Sequence, residues 1–246
     1  MERWRGRVAL VTGASAGIGR AVAEDLLAAG MRVAIAARRA ERLAEVAAAA
    51  PERTLACPAD LRDPSAVEAL FARVRQAWGG VDVLVNNAGF GRRAPLLEGD
   101  LAAWRGMLEL NVLALCQCTA EAVRDMRARG DQGHVIHVGS MSGHRTPPGT
   151  GVYGATKFAV RSLTESLRQE LREAGSQIRV SAVSPGFVET EFAGVYHGDP
   201  QRGRETYARF KVLEPRDVAA AVRFLLAAPP HVQVHDVLVR PTDQPT

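Results

Sequence analysis

Seven short apolar runs, dense in valine and isoleucine, recur along the chain with longer amphipathic segments between them. The runs barely alternate between apolar and polar residues, as expected of strands that are buried on both faces. They lie at 7–13, 31–38, 53–60, 81–89, 133–140, 178–186 and 232–240. Helical periodicity lies near 17–29, 40–50, 64–78, 101–129, 152–174 and 215–227. This alternation predicts an α/β fold in which helices cover both sides of a parallel sheet.

The segment 187–214 interrupts the rhythm with glycine, proline, mixed charge and scattered aromatic residues. Insertions of this length without regular structure are often lids or substrate loops. The alternative is an ordinary surface loop without a functional role. No linker, internal repeat or low-complexity tract divides the chain. We therefore expect a single domain over 1–246, with a substrate lid at about 187–214.

The composition mainly excludes other classes of protein. With 47% hydrophobic and 24% charged residues, the 246-residue chain resembles an ordinary soluble globular protein. Its net charge of +4 comes from dispersed arginines, which argues against nucleic-acid binding. Cys57, Cys116 and Cys118 indicate buried thiols in a reducing compartment, and the histidines form no metal-ligand pattern. We therefore expect no metal. Because no apolar run is long enough to span a membrane and no signal peptide is visible, we expect a cytoplasmic protein.

The first strand ends in the glycine-rich turn TGASAGIG, Thr12 to Gly19, and a helix begins inside it. Gly13 permits a tight turn, and Gly17 and Gly19 allow the backbone to approach a pyrophosphate closely. The helix N-terminus adds free N–H groups and the positive end of its dipole. The turn therefore predicts a nucleotide-phosphate site, with a purely structural turn as the alternative.

The second strand ends at Ala36-Ala37-Arg38-Arg39, where a protein that binds NAD usually places Asp or Glu for the ribose 2′-hydroxyl. An acid would repel a 2′-phosphate, whereas Arg38 can bind it with two hydrogen bonds. A hydrogen bond to a charged group contributes roughly 1.5–3 kcal/mol, which favours NADP over NAD by about tenfold to a hundredfold. The alternative is a solvated arginine in an arginine-rich chain.

Asp60-Leu61 ends the third strand, where an adenine ring would lie. The Asp60 carboxylate could accept a hydrogen bond from the adenine amino group, or it could cap the helix that follows. The residues alone do not separate these two roles.

Asparagine is scarce, with Asn86, Asn87 and Asn111 the three in the chain. The first two stand in the sequence NNAG at the end of the fourth strand. Asn111 lies in a helical run, where asparagine competes with the helix hydrogen bonds. Its position predicts a bend or a polar role, and a tolerated exposed asparagine is the alternative.

Tyr153 and Lys157 stand in the sequence YGATK, and Lys157 is one of two lysines in a chain with 31 basic side chains. They are one helical turn apart and share a face. An ammonium group beside a phenol favours the phenolate, so we expect Lys157 to lower the pKa of Tyr153 from about 10. Ser140 follows the fifth strand, at the sheet edge where ligands bind in such folds. A solvated helix face is the alternative for the tyrosine and lysine pair.

Together TGASAGIG, NNAG, Asn111, Ser140, YGATK and SPGFVET resemble the short-chain dehydrogenase/reductase family over essentially the whole chain. The resemblance implies a Rossmann-type, doubly wound fold with a seven-stranded parallel sheet, usually in a homotetramer or dimer. It also implies hydride transfer between a nicotinamide and a carbonyl or alcohol, with NADP(H) as the cofactor that Arg38 indicates.

The resemblance assigns roles to individual residues. Tyr153 matches the catalytic acid/base, Lys157 the ribose-binding lysine, Ser140 the serine that holds the substrate oxygen, and Asn111 the asparagine that supports a water relay. The residues expected to bind the cofactor are Gly13, Ser15, Gly17, Ile18, Gly19, Arg38, Arg39, Asp60, Leu61, Asn87, Ala88, Gly89, Tyr153, Lys157, Pro185, Gly186, Val188, Glu189 and Thr190. The residues expected to contact the substrate are Ser140, Tyr153, Met141, His144, Phe187, Phe192 and Tyr196.

The sequences NVLAL, SMSGHR and SPGFVETEFA are similar to a subgroup of NADP-dependent members that act on 3- and 17-ketosteroids, other lipophilic carbonyls or isoprenoid alcohols. The loop after Arg39 is shorter here, so Arg39 and Arg42 are expected to share the 2′-phosphate site with Arg38. One alternative is a dehydrogenase for 3-hydroxy acids or small polyols, which would need Arg92 or Arg145 to face the pocket. A second alternative is a non-catalytic dinucleotide sensor, against which the intact Asn, Ser, Tyr and Lys set argues.

Overall fold

The seven predicted strands form one parallel sheet in a computed structural model that describes residues 1–245. The predicted domain ends at Thr246, which lies outside the described residues. The strand order is β3-β2-β1-β4-β5-β6-β7. The strands are β1 (Val8–Thr12), β2 (Arg32–Ala37), β3 (Thr54–Pro58), β4 (Val83–Asn86), β5 (His134–Val138), β6 (Arg179–Pro185) and β7 (Asp236–Val239). The chain order reverses between β1 and β4, which makes a crevice at the carboxyl edge of the sheet.

Helices lie against both faces of this sheet. They are α1 (Gly17–Ala28), α2 (Ala40–Ala48), α3 (Pro64–Trp78), α4 (Leu101–Leu108), α5 (Leu115–Ala128), α6 (Gly151–Glu173), α7 (Phe192–His197), α8 (Pro200–Tyr207) and α9 (Pro215–Ala227). Short 3₁₀ turns lie at Glu2–Trp4, Pro51–Arg53 and Met141–Gly143. In the described part of the chain, no helix combines the length and apolar character needed to span a bilayer.

Strand β1 shows why the apolar runs barely alternate. All five of its residues are buried. Ala9 and Val11 pack in the core that includes α1 and α9. Val8 and Leu10 pack in the opposite core, which includes α3 and α5. Because both faces are covered, every position can contribute burial, about 1.5–3 kcal/mol for a large apolar side chain.

Three predicted boundaries are wrong. The fourth and seventh strands, predicted at 81–89 and 232–240, are shorter and include only Val83–Asn86 and Asp236–Val239. The helix predicted at 101–129 consists of α4, a π-helical stretch at Glu109–Ala114, and α5. Asn111, where the sequence predicts a bend or a polar role, lies inside this π-helical stretch, which interrupts the regular α-helix.

The segment 187–214 is also more regular than predicted, because it contains α7 and α8. Asp199 caps α8 by accepting a hydrogen bond from the Gln201 N–H at 2.8 Å, and Pro200 begins the helix. Both helices have at most eight residues, and α8 is strongly polar. They therefore lack the apolar periodicity by which the other helices were predicted.

Candidate active site

The four predicted catalytic residues come from different elements that meet at the carboxyl edge of the sheet. Ser140 follows β5, Asn111 lies in the π-helical stretch, and Tyr153 and Lys157 lie one turn apart in α6. The Lys157 Nζ lies 6.0 Å from the centroid of the Tyr153 ring. Gly143 brings the Ser140 turn against α6, since a Cβ there would lie 2.7 Å from the Lys157 carbonyl oxygen. The fold thus places a phenol, an ammonium group and a hydroxyl in one region.

Burial dominates the acid–base properties of the tyrosine and lysine. Tyr153 and Lys157 are each 8% exposed. Burial raises the pKa of Tyr153 to about 12, and the Ser140 hydroxyl acts in the opposite direction. Burial lowers the pKa of Lys157 to about 8. The expectation that the pKa of Tyr153 falls below about 10 is therefore wrong for this structure, because removing the phenolate from water costs more than the Ser140 hydrogen bond returns.

The Lys157 ammonium has a fixed backbone partner. Its Nζ donates a hydrogen bond to the Val138 carbonyl oxygen at 2.9 Å. Val138 is the last residue of β5, two residues before Ser140. This hydrogen bond holds Lys157 at the carboxyl end of β5. The same strand positions Ser140.

Asn111 anchors the loop that follows β4. Its Oδ1 accepts a hydrogen bond from the Phe90 N–H at 3.0 Å, and its Nδ2 donates to the Phe90 carbonyl oxygen at 2.8 Å. The same Nδ2 lies 3.1 Å from the Thr156 hydroxyl, in α6 between the tyrosine and the lysine. The polar role expected for Asn111 is thus to join the NNAG loop to the catalytic helix. The water relay implied by the family stays a prediction.

The glycine-rich turn has the geometry of a phosphate cradle. Gly13 has a φ of +68°, and a Cβ there would lie 2.9 Å from the Ala88 Cα. A Cβ on Gly19 would lie 2.4 Å from the Asn87 Nδ2. Helix α1 begins at Gly17 and has no side-chain cap. Its first N–H groups therefore have no side-chain partner, as a helix that binds a pyrophosphate requires.

Thr12 joins this turn to NNAG, a role that the motifs alone did not indicate. Its hydroxyl accepts hydrogen bonds from the N–H groups of Asn87 at 3.0 Å and Ala88 at 2.9 Å. It lies 3.4 Å from the Val85 carbonyl oxygen, to which it donates. The Asn87 Nδ2 donates in return to the Thr12 carbonyl oxygen at 2.9 Å. A polar residue at the end of an otherwise apolar strand is the signal by which this role could have been found.

At the adenosine end, Asp60 is held by a neighbour. Arg62 donates to the Asp60 carboxylate from its backbone N–H at 3.1 Å and from its guanidinium, at 2.5 Å for Nη2. These hydrogen bonds lower the pKa of Asp60, and the nearby charge of Arg38 adds to their effect. The capping alternative for Asp60 is wrong, because Asp63 caps α3 through the Ser65 N–H at 2.9 Å.

Arg39 and Arg42 donate hydrogen bonds to a carboxylate of the segment 187–214, in which a lid is predicted. Arg39 donates to Glu191 at 2.9 Å, and Arg42 donates to the other oxygen of Glu191 at 2.6 Å. Arg39 also donates from Nη2 to the Ser15 hydroxyl at 3.1 Å. Partial burial would raise the pKa of Glu191, but the hydrogen bonds from both arginines outweigh it and lower that pKa. Glu191 was not among the predicted site residues.

Aromatic side chains surround Tyr153, the predicted catalytic tyrosine. The Tyr153 ring lies 5.3 Å from that of Phe192 and 6.2 Å from that of Tyr196, measured between centroids. Phe192 and Tyr196 stack at 6.1 Å. Phe187 instead pairs with Phe210 at 6.0 Å. Phe192 and Tyr196, both in α7, therefore form one aromatic wall with Tyr153. Phe187 belongs to a second aromatic pair.

Met141 and His144 flank the Ser140 turn. Met141 is buried. The His144 Nε2 lies 3.2 Å from the Ser184 hydroxyl and 3.0 Å from the Asp236 carboxylate. Its imidazole is thus held against β6 and β7, whereas the sequence prediction placed it against the substrate.

The remaining predicted cofactor residues lie along the same edge. Pro185 ends β6, and Gly186 to Thr190 follow it. The Phe187 N–H donates to the Gln244 side chain at 2.9 Å, and Val188 bridges to Leu213. Ile18 lies in the first turn of α1, Leu61 follows Asp60 and is buried, and Gly89 faces Asn111.

Known proteins share both the sequence and this arrangement. A family model described as short chain dehydrogenase matches residues 7–199. Dehydrogenase/reductase SDR family member 11 of Bos taurus is 48% identical over 100% of both chains. Farnesol dehydrogenase of Aedes aegypti is 41% identical over 99% of each chain. Among solved structures, the closed form of serine dehydrogenase complexed with NADP+ superimposes with a TM-score of 0.92 at 33% identity, covering 97% of this chain and 96% of that one.

A metagenomic short-chain oxidoreductase in complex with NADP gives a TM-score of 0.81 at 32% identity, over 98% of this chain and 99% of that one. These matches confirm the predicted fold, the family and the resemblance to its subgroup. They also agree with the prediction of NADP(H) as the cofactor. The chain belongs to the short-chain dehydrogenase/reductase family.

Proposed function

We propose that the protein is an NADP(H)-dependent carbonyl reductase and alcohol dehydrogenase that acts on lipophilic ketones or secondary alcohols. The observation that carries the proposal is the packing of Phe192 and Tyr196 on the catalytic Tyr153. An aromatic wall beside the proton donor favours a bulky apolar substrate, such as a 3- or 17-ketosteroid, a diketone or an isoprenoid. The relative named farnesol dehydrogenase supports this class.

The side chains supply proton transfer and oxyanion stabilisation. When bound, NADPH supplies the hydride. Ser140 and Tyr153 hold the substrate oxygen, and one such donor can contribute about 3 kcal/mol to the transition state. A phenol with a pKa of about 12 is protonated at neutral pH, which is the form that reduction of a ketone requires. Lys157, with a pKa of about 8, is suited to exchange a proton near neutral pH.

The cofactor end supports NADP(H) over NAD(H). The uncapped start of α1 and the turn at Gly13 fit the pyrophosphate. Arg38 is exposed at the end of β2, where a 2′-phosphate would lie. We assign the other predicted cofactor residues to the same molecule by their place on the sheet edge.

The proposal extends to the lid, the assembly and the location of the protein. Residues 187–214 form the substrate lid of a single domain, and Phe192 and Tyr196 lie on its inner side. Leu101, Leu108, Leu113 and Phe158 are exposed on the helical segments from α4 to α6, which supports a homotetramer or dimer. The free cysteines Cys57, Cys116 and Cys118 are consistent with a cytoplasmic protein.

A second candidate is the oxidation of 3-hydroxy acids. Two solved relatives are serine dehydrogenases, with TM-scores of 0.92 and 0.83. Such a substrate carries a carboxylate that an arginine would bind. The basic residues proposed for it are Arg145, which is half-buried shortly after the Ser140 turn, and the exposed Arg92.

The test is the initial rate of NADPH oxidation, with NADH as the comparator. The panel contains a 17-ketosteroid, an aromatic diketone, farnesal and a small 3-oxo acid. We expect turnover of the lipophilic carbonyls with a strong preference for NADPH. Turnover of the oxo acid alone would replace the lipophilic substrate class with the 3-hydroxy acid one.

A further inference from the structure

Glu191 connects four parts of the molecule around the adenosine end of the cofactor cleft. It precedes the first residue of the lid helix α7. Its carboxylate accepts from Arg39, at the end of β2, and from Arg42, in α2. Through Arg39 it is linked to Ser15 in the glycine-rich turn. The lid is thereby tied to the groups that surround the adenosine phosphate.

The backbone next to Glu191 is also held in place. The Thr190 hydroxyl accepts a hydrogen bond from the Phe192 N–H at 3.2 Å. The Thr190 methyl packs on the glycine-rich turn, because a Cβ on Gly17 would lie 3.0 Å from it. The carboxylate of Glu191 is therefore presented to the arginines from a fixed position beside the pyrophosphate cradle.

The two arginines that hold this carboxylate are those predicted to share the 2′-phosphate site with Arg38. Guanidinium groups bind carboxylates and phosphates through the same N–H donors, so an N–H that serves Glu191 does not serve a phosphate at the same time. The negative charge of Glu191 also repels a second anion there. Arg38 keeps its exposed position and is not among the donors to Glu191.

We propose that Glu191 is a cofactor-specificity residue that competes with the 2′-phosphate of NADP(H) for Arg39 and Arg42. Binding of NADP(H) displaces its carboxylate from the arginines and frees the first turn of α7, whereas NAD(H), which lacks the phosphate, leaves the ion pairs in place. Glu191 therefore lowers the preference for NADP(H) that the arginines alone would give. The inference rests on the proposed use of NADP(H).

Solvent sets the size of the effect. The side chains of Arg39, Arg42 and Glu191 are 42%, 43% and 51% exposed. Ion pairs as exposed as these are individually weak and are screened by salt. We therefore expect that removing the carboxylate strengthens binding of a 2′-phosphate by about threefold to tenfold, and that the gain shrinks at high ionic strength.

The test measures nucleotide binding by titration calorimetry, with adenosine 2′,5′-bisphosphate and 5′-AMP as probes. Neither probe contains a nicotinamide, so the result does not depend on turnover. We expect Glu191→Gln to bind the bisphosphate about threefold to tenfold more tightly and 5′-AMP with unchanged affinity. The matched control is Glu45→Gln, which removes an exposed α2 carboxylate that pairs with Arg20 at 3.4 Å and should change neither affinity.

Unchanged or weaker binding of the bisphosphate by Glu191→Gln would overturn the proposal. Weaker binding would mean that Glu191 orients the arginines for the phosphate instead of competing with it. If wild type binds both probes equally, the proposed preference for NADP(H) fails separately. Glu191→Gln still tests the competition between Glu191 and the 2′-phosphate in that case. Tighter binding of the bisphosphate by the variant supports the competition, and unchanged binding refutes it.

Discussion

The proposed cofactor cleft has a catalytic end and an adenosine end, and these two ends are built in different ways. At the catalytic end, Asn111, Tyr153 and Lys157 are 2%, 8% and 8% exposed. Asn111 and Lys157 bond to backbone atoms, and Tyr153 packs among aromatic rings. At the adenosine end, Arg39 and Arg42 are more than 40% exposed and bond to other side chains.

This difference in burial determines how well the position of a side chain can be predicted from the type of the residue. A buried polar group must find a partner, and the nearby backbone offers few, so its place follows from the fold. A long exposed arginine has many rotamers and several carboxylates within reach, and water replaces any partner that it loses at little cost. The side chains at the catalytic end are thus positioned by packing. The arginines at the adenosine end are positioned by whichever of several competing ion pairs they form.

The largest difference between the two ends is expected when the phenolic oxygen is removed from Tyr153 at the catalytic end. Tyr153→Phe deletes the phenolic hydroxyl and keeps the ring that packs on Phe192. Loss of a general acid lowers turnover typically by about a hundredfold to ten-thousandfold. We expect a fall in kcat of that size with the dissociation constant of NADPH unchanged, measured by steady-state kinetics and fluorescence titration.

The matched control is Tyr207→Phe, which deletes a hydroxyl that accepts from the Ala193 N–H at 3.2 Å in the lid. It should change kcat by only a few-fold. Near-normal turnover in Tyr153→Phe would contradict the assignment of the proton donor.

A smaller effect is expected at the adenosine end. Arg38→Ser removes the exposed guanidinium that is proposed for the 2′-phosphate. We expect kcat/KM for NADPH to fall about tenfold to a hundredfold and kcat/KM for NADH to stay constant, because only NADPH carries the extra phosphate.

Arg62→Ser provides the comparison, since Arg62 binds Asp60 on the adenine side. Any loss in that variant should affect both cofactors alike. An equal loss for both cofactors in Arg38→Ser would remove Arg38 from the 2′-phosphate site.

A further prediction concerns the free-energy cost of burying an imidazole beneath the catalytic end. His137, in β5, is buried between the hydroxyls of Thr164 at 2.9 Å and Thr119 at 3.2 Å. Burial, helped by the charge of Lys157, lowers its pKa to about 3. Between pH 6.5 and about 3 the unfolded chain therefore binds a proton that the folded one does not, so the free energy of unfolding decreases as the pH falls.

His137→Gln keeps hydrogen-bonding groups without a titration in this range. We expect chemical denaturation to show a pH slope that is smaller by about 1.4 kcal/mol per pH unit in the variant. His231→Gln, at an exposed site, should leave the slope of wild type unchanged. An unaltered slope in His137→Gln would show that the imidazole is not held neutral.

The sequence predicted the sheet because the pattern of a buried strand depends on burial alone, whereas the catalytic residues came from motifs and stay predictions. Runs such as Val8–Thr12 are apolar at each position because helices cover both faces, and a pattern of this kind is visible without coordinates. The sequence could not show that Asn111 widens a helix by a π-turn, since that depends on the Phe90 backbone across the loop. Nor could it show that His144 faces Asp236, which lies 92 positions further along the chain, or that Glu191 reaches Arg39.

The hydroxyl of Thr12 has a consequence for how the cofactor enters. It uses both lone pairs and its proton to join β1 to the loop after β4, at the point where the order of the strands reverses. At the floor of the crevice, β1 and the end of β4 therefore cannot separate without breaking several buried or half-buried hydrogen bonds at once. We therefore expect the rate of entry and release of a dinucleotide to depend on motion of the segment 187–214 and on the ion pairs of Glu191, and not on separation of β1 from β4.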